Sequence, residues 1–187
     1  TGVTINLTTN SASGGDATGD TISGFENVTG GSGADTLTGT SGANVIDGGG
    51  GDDVIAGLAG ADTLTGGTGT DTLDYSADTT GVTINLTTNS ASGGDATGDT
   101  ISGFENVTGG SGADTLTGTS GANVIDGGGG DDVIEGGAGD DVLDGSAGND
   151  RIALEGGADT IDGGADHDIL DVYLSTDVTV DLGTGIV

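Results

Sequence analysis

The stretch Gly127-Gly-Gly-Gly130-Asp131-Asp132-Val-Ile134-Glu135-Gly136-Gly-Ala-Gly139-Asp140-Asp141-Val-Leu143-Asp144 is one nine-residue unit written twice. Glycine holds positions one, two and four, aspartate holds position six, and a large aliphatic holds position eight. Units of this kind form two blocks. The first spans Gly30 to Asp74 and holds five units; the second spans Gly109 to Asp171 and holds seven. Position eight is Leu37, Ile46, Ile55, Leu64, Leu73, Leu116, Ile125, Ile134, Leu143, Ile152, Ile161 and Leu170. All twelve are Leu or Ile, half of the 24 such residues in the chain.

That register decides between order and disorder. Composition alone favours disorder: 44 glycines, four aromatics (Phe25, Tyr75, Phe104, Tyr173) and 31 acidic residues against Arg151 leave a net charge of −30. A structureless tract has no reason to keep one aliphatic in register every nine residues, so a repeating fold is expected. The charge excludes nucleic acid and direct insertion into anionic membranes as partners. Absence of cysteine excludes disulfides and thiolate-ligated zinc. No window resembles a membrane-spanning helix or a signal peptide, and the chain, which starts without Met, reads as a piece of a longer protein.

A larger repeat encloses the blocks. Thr1 to Ile55 recurs unchanged as Thr80 to Ile134, and Asp177-Val-Thr-Val-Asp-Leu182 echoes Gly81-Val-Thr-Ile-Asn-Leu86. The domain reading is therefore 1–79 (spacer plus nonapeptides 30–74) and 80–187 (the same spacer, nonapeptides 109–171 and the start of a third spacer), joined as one solenoid. Within a spacer, Val3, Ile5 and Leu7 (copied as Val82, Ile84 and Leu86) alternate with polar residues as in a half-buried strand. A polar loop follows from Thr87 to Asp99, then Ile101 to Val107 reads as a solenoid turn with a wider loop. Asp95 and Asp99 are either an extra cation site or a solvated turn, the turn being favoured. No helix of useful length is predicted.

One unit reads as a turn and a strand. Six residues with three glycines admit positive φ and close backbone approach to an ion, while position six adds a carboxylate. Donors that are all hard oxygens suit Ca²⁺ with its six to eight ligands. The last three residues form a minimal strand, position eight inward and seven and nine outward. One loop has too few ligands. If successive units turn alternately, loops n and n+2 stack about 4.8 Å apart and share an ion. The expected side-chain ligands are Asp35, Asn44, Asp53, Asp62, Asp71, Asp114, Asn123, Asp132, Asp141, Asp150, Asp159 and Asp168. Backbone carbonyls of Gly31, Gly33, Gly49, Gly51, Gly67, Gly69, Gly110, Gly112, Gly128, Gly130, Gly137 and Gly139 complete the set. Asp35, Asp53 and Asp71 then line one edge of the first block. Asp114, Asp132, Asp150 and Asp168 line one edge of the second, with Asn123, Asp141 and Asp159 on the other. Counting stacked pairs gives roughly eight Ca²⁺ ions, offsetting about 16 negative charges. Folding and calcium binding should be one event.

The units resemble the glycine-rich nonapeptide of the RTX (repeats-in-toxin, haemolysin-type calcium-binding) family. Gly48-Gly-Gly-Gly-Asp52-Asp53-Val-Ile55-Ala56 and Gly136 to Asp144 fit every fixed position, and twelve units cover 108 of 187 residues. The phrase Gly98-Asp-Thr-Ile-Ser-Gly-Phe-Glu-Asn-Val107 also resembles such proteins. The expected fold is all-β, a right-handed parallel β-roll or β-helix solenoid with Ca²⁺ stacked in its turns. The resemblance further implies secretion from a Gram-negative bacterium by a one-step, type I route, with folding delayed until extracellular calcium is met. Departures weaken some sites. Asn44 and Asn123 lose the charge, Leu58, Thr40 and Thr119 replace the second glycine, Leu154–Asp162 has lost its leading glycines, and Asp166 stands where a fourth glycine belongs. His167 and Arg151 read as surface side chains, the latter solvated or ion-paired.

The function expected is a calcium-binding folding, secretion and spacer module, with other domains of a longer secreted protein as partners. Adjacent acids such as Asp131 and Asp132 could mimic a general acid and base, but metal loops account for them and no nucleophile–histidine set exists, so no enzyme is expected within these residues. The alternative is a calcium-scaffolded adhesion module for polysaccharide, a surface layer or ice. It would use the outward Thr36, Thr38, Thr63, Thr65, Thr115 and Thr117, although Val54 and Ala56 interrupt a uniform threonine array.

Overall fold

The computed structural model describes residues 1–173, so the echo at Asp177–Leu182 lies outside the described residues. Apart from two three-residue 3₁₀ turns, Gly15–Ala17 and Gly94–Ala96, the described secondary structure is strand. The chain is an all-β parallel solenoid of about eight turns.

Each strand pairs with the one eighteen residues away inside a block, as Thr36–Thr38 does with Val54–Ala56, and Val124–Asp126 with Val142–Asp144. Alternate units therefore build separate sheets. One sheet has nine strands, and its sequence of neighbours crosses from the first block to the second: Val54–Ala56, Thr72–Asp74, Asn106–Thr108, Val124–Asp126. The other units form a four-stranded sheet, Asn27–Thr29 through Thr100–Ser102, and a six-stranded one, Ser90–Ser92 through Ile169–Val172.

Position eight fills the space between the sheets. From Leu37 to Ile152, the residues at that position in both blocks are fully buried in one apolar cluster. In a strand only alternate side chains face inward. Each such burial stabilises by roughly 1.5–3 kcal/mol, and the regular spacing spreads that gain evenly along the rod. Outward Val45, Val124 and Val142 stay half exposed.

Two features depart from the sequence reading. The polar loops are hairpins in part: Thr4–Asn6 pairs antiparallel with Ser11–Ser13, and Thr83–Asn85 with Ser90–Ser92. Asn10 and Asn89 provide the positive φ those turns need, and Asn6 and Asn85 accept the N–H of Thr9 and Thr88. The turn expected to be wide is instead narrow. Gly103, Phe104 and Glu105 alone join Thr100–Ser102 to Asn106–Thr108, where a nonapeptide loop uses six residues. Spacer strands thus take their places in the solenoid: Thr100–Ser102 pairs with Thr63–Thr65, and Asn106–Thr108 with Thr72–Asp74. Five units in the first block, an odd number, move the copied strand to the other side: Thr4–Asn6 lies in the nine-stranded sheet, Thr83–Asn85 in the six-stranded one.

Candidate metal centre

Coiling places position six of each unit against position six of the unit two earlier. One carboxylate oxygen of the later residue accepts the backbone N–H of the earlier one. Asp35 N–H donates to Asp53 Oδ1 (2.7 Å), Asn44 to Asp62 (2.8 Å) and Asp53 to Asp71 (2.8 Å). In the second block Asp114 donates to Asp132 (2.8 Å), Asn123 to Asp141 (2.9 Å), Asp132 to Asp150 (2.8 Å), Asp141 to Asp159 (3.1 Å) and Asp150 to Asp168 (3.0 Å). Position five forms a parallel, outer ladder, in which Asp52 accepts Thr70 N–H and Asp131 accepts Asn149 N–H. Adjacent acids therefore split: Asp131 is exposed, held below the usual carboxylate range by hydrogen bonds from Asn149, while Asp132 is buried.

The side-chain oxygen that faces the unit's own loop divides ten of the twelve units into two classes. In the first two units of each block the loop satisfies its own position six. Gly31 N–H donates to Asp35 Oδ2 (2.6 Å), Thr40 N–H to Asn44 Oδ1 (2.7 Å), Gly110 N–H to Asp114 Oδ2 (2.7 Å) and Thr119 N–H to Asn123 Oδ1 (2.7 Å). In the other class Oδ2 of Asp53, Asp62, Asp71, Asp132, Asp141 and Asp150 is buried with no hydrogen-bond partner. The switch is position two. It has positive φ at Gly49, Leu58, Gly67, Gly128, Gly137 and Ser146, the six units with an unpartnered Oδ2, and at none of the four satisfied ones. In several of these units the position-two N–H goes instead to a preceding aspartate at position nine, as Gly49 to Asp47 (3.1 Å), Gly128 to Asp126 (3.0 Å) and Ser146 to Asp144 (2.9 Å).

Position one borders that oxygen in both classes, Gly30 beside the satisfied Asp35 Oδ2 and Gly109 beside the satisfied Asp114 Oδ2 included. Its glycines Gly48, Gly127 and Gly145 do not have positive φ. A Cβ on Gly48 would instead strike Asp53 Oδ2 and the carbonyl of Gly66; on Gly145 it would strike Asp150 Oδ2 and the carbonyl of Gly163. Glycine is needed there for room. The carboxylate of one loop and the position-one carbonyl of the next thus border one small oxygen-lined space. Those carbonyls, of Gly66, Gly145 and Gly163, were not among the expected ligands; the sequence signal was a glycine at position one that turn geometry alone does not require. Of the expected carbonyls, those of Gly31, Gly110 and Gly128 accept N–H groups of Gly50, Gly129 and Ala147 in the next coil. Those of Gly49, Gly51, Gly112 and Gly139 abut glycines Gly67, Gly69, Gly130 and Gly157 of the next coil.

The donor set fits a hard divalent cation: carboxylate and carbonyl oxygens, an unpartnered buried atom and a cradle that a Cβ would fill. Among the described residues no three His, Cys, Asp or Glu side chains gather, so an ion here would draw on the backbone. Without a cation, burial pushes the position-six carboxyls up, Asp132 to about 7 and Asp62 to about 6, with Asp53, Asp71, Asp141 and Asp150 moved the same way.

In the spacer, Asp99 is held by hydrogen bonds rather than solvated. Its Oδ1 accepts Asp62 N–H (2.8 Å) and its Oδ2 accepts Tyr75 O–H (2.8 Å). Asp95 is engaged through its backbone, its N–H donating to Asp78 Oδ2. His167 is exposed, and Arg151 pairs with Asp171.

A sequence model of the RTX calcium-binding nonapeptide repeat (four copies) matches residues 14–55, 29–64, 47–79, 108–143 and 135–170, together more than half of the chain. No curated protein matches the chain.

Proposed function

This chain belongs to the RTX calcium-binding nonapeptide repeat family, and on that premise we propose that it is a folding and spacer module that acquires its structure by binding Ca²⁺ outside the cell. The observation that carries this reading is the set of six buried carboxylate oxygens without partners. Oδ1 of each carboxylate is capped by a backbone N–H, but leaving a buried polar atom such as Oδ2 unpaired costs about 1–3 kcal/mol. Six such costs are comparable to the roughly 5–15 kcal/mol by which a domain is stable, so in this reading the coil needs cations to hold its geometry. Calcium supplies positive charge at the point where the carboxylate of one loop meets the carbonyls of the next.

Asp53, Asp71, Asp132 and Asp150 are the principal ligands in this reading, with Asp62 and Asp141 in less complete cradles. Asp35, Asn44, Asp114 and Asn123 serve as start-of-block residues whose oxygens are already satisfied. About six ions would offset about 12 of the 30 negative charges. The two blocks act as one rod, a reading supported by the sheet whose strands come from both. A chain that stays unfolded until calcium is plentiful suits export from a low-calcium cytosol through a narrow secretion channel. Among the described residues no helix is long and apolar enough to cross a membrane.

Circular dichroism during a calcium titration, with magnesium as control, tests this. Calcium should convert a coil spectrum into a β spectrum in one cooperative step, and magnesium should not. A full β spectrum in chelator at neutral pH would refute coupled folding.

A further inference from the structure

We propose that the three-residue spacer turn Gly103–Glu105, in place of a following nonapeptide, closes the divalent-cation site of Asp71, so that an ion clamps the spacer onto the end of the first block. The proposal rests on the calcium-binding reading above and extends it to residues outside any nonapeptide.

Asp71 belongs to the last unit of its block, with no nonapeptide stacked beyond it. It is nonetheless 0% exposed, and its Oδ2 has no hydrogen-bond partner. What lies beyond is the spacer turn. A Cβ on Gly66, the position-one glycine of this unit, would strike Asp71 Oδ2 and the carbonyl of Gly103. This is the trio found inside the blocks, where Gly48 faces Asp53 Oδ2 and the carbonyl of Gly66. Gly103 thus stands in for position one of a following loop.

Glu105 stands in for position six. Its Oε2 accepts Asp71 N–H (2.9 Å), the bond that Asp71 Oδ1 itself provides to Asp53 N–H (2.8 Å). The longer side chain makes up for a loop three residues shorter. The backbone fixes the turn from both sides. Glu105 and Asn106 N–H groups donate to the Asp71 carbonyl (3.1 and 2.9 Å), and Asn123 Nδ2 of the second block donates to the Glu105 carbonyl. Asp71 and Glu105 bring two negative charges to one oxygen-lined space, and a divalent cation neutralises both. The neighbouring column lacks this arrangement: Asp99 caps Asp62 N–H, but the atoms nearest a Cβ on Gly57 include no carbonyl from the spacer.

The chain contains its own control. Gly24-Phe25-Glu26 repeats the same three residues, and Glu26 likewise receives Asn44 Nδ2 at its carbonyl. No coil lies beneath it in this structure; a Cβ on Gly24 would meet nothing. Within these residues the phrase meets a position-six aspartate at Gly103–Glu105 and none at Gly24–Glu26.

Glu105→Gln keeps an oxygen for Asp71 N–H and removes the charge. Both Glu105→Gln and Glu26→Gln would be made in the whole chain, and bound calcium counted by atomic emission after equilibrium dialysis at the concentration that just saturates the parent. E105Q should bind one ion fewer, and E26Q as many as the parent. Equal stoichiometry in all three proteins, or a loss in E26Q matching that in E105Q, overturns the proposal. Should E105Q lose more than one ion, the D71N/E105Q double variant decides. No loss beyond that of E105Q supports a shared site, and a further loss equal to that of D71N alone overturns it. A parent that binds no calcium would instead refute the functional reading beneath the proposal.

Discussion

At the scale of single residues, glycine has two separate duties in the loop. At position two it supports a backbone flip, with φ of +93° at Gly49 and +87° at Gly128, that turns the N–H away and leaves the aspartate Oδ2 free. Leu58 and Ser146 make the same flip as non-glycines, at φ of +65° and +67°, and bear the left-handed strain, roughly 1–2 kcal/mol each, that glycine avoids. At position one the duty is space. Gly48→Ala should therefore destabilise the calcium-loaded protein by about 1–3 kcal/mol and weaken calcium binding, because the methyl displaces Asp53 Oδ2 and the Gly66 carbonyl together. Gly156→Ala, whose Cβ would meet nothing and whose φ is ordinary, should stay within about 0.5 kcal/mol. Calcium-dependent thermal melts of the two variants provide the comparison; equal melting would refute the cradle at position one. The twelve position-six residues were legible from spacing. Which of them keep a free oxygen was not, because Gly31 and Gly49 are the same residue at the same position and differ only in φ.

At the scale of the element, the functional unit is the stack of loops. Asp132 gives Oδ1 to Asp114 N–H below it, receives its own capping oxygen from Asp150 above, and faces a space bordered by Gly145 of the next coil. Asp132→Ala strips the cap from a buried N–H, which costs about 1–3 kcal/mol, and removes the carboxylate between two neighbouring loops. Asp168 is exposed, at the end of the second block, and caps only Asp150 N–H. Isothermal titration should show Asp132→Ala losing the ion at its own buried Oδ2 and Asp168→Ala, whose exposed carboxylate is not among the six, losing none. Equal losses would mean that a buried, unpartnered Oδ2 does not mark an ion site. The antiparallel hairpins and the narrow Gly103–Glu105 turn were missed for a related reason. Only the first strand of each hairpin has period two, its partner Ser11–Ser13 or Ser90–Ser92 has a single apolar residue, and Ile101 to Val107 has neither period two nor period nine, so the pairing is set by the coil they dock on.

At the scale of the whole molecule, a net charge of −30 is folded around six unpartnered buried carboxylates, so protons and calcium compete to neutralise them. Asp132 and Asp62 have folded-state values of about 7 and about 6 against 3.8 for the free side chain. Between those limits the folded chain holds protons that the unfolded chain releases. Their contribution to stability is therefore complete below 3.8 and disappears as pH rises through 6 to 7. In chelator, the β signal in circular dichroism should be stronger at about pH 5 than at about pH 8, and calcium should be needed most at the alkaline end. A chelated protein that gains structure with rising pH would contradict this. Sequence by itself determined the solenoid, its core and its ion chemistry. Leu or Ile at every ninth residue and oxygen donors at fixed offsets admit one stacking, and burial of position eight enforces it. What only the tertiary structure decided shows in the duplicated segment, where sequence is constant. Phe25 is 55% exposed and its copy Phe104 is 4% exposed; Glu26 caps no lower coil, and Glu105 caps Asp71. The difference comes from what is stacked beneath, because the cap of each stacked position-six N–H and half of each core layer belong to the neighbouring coil.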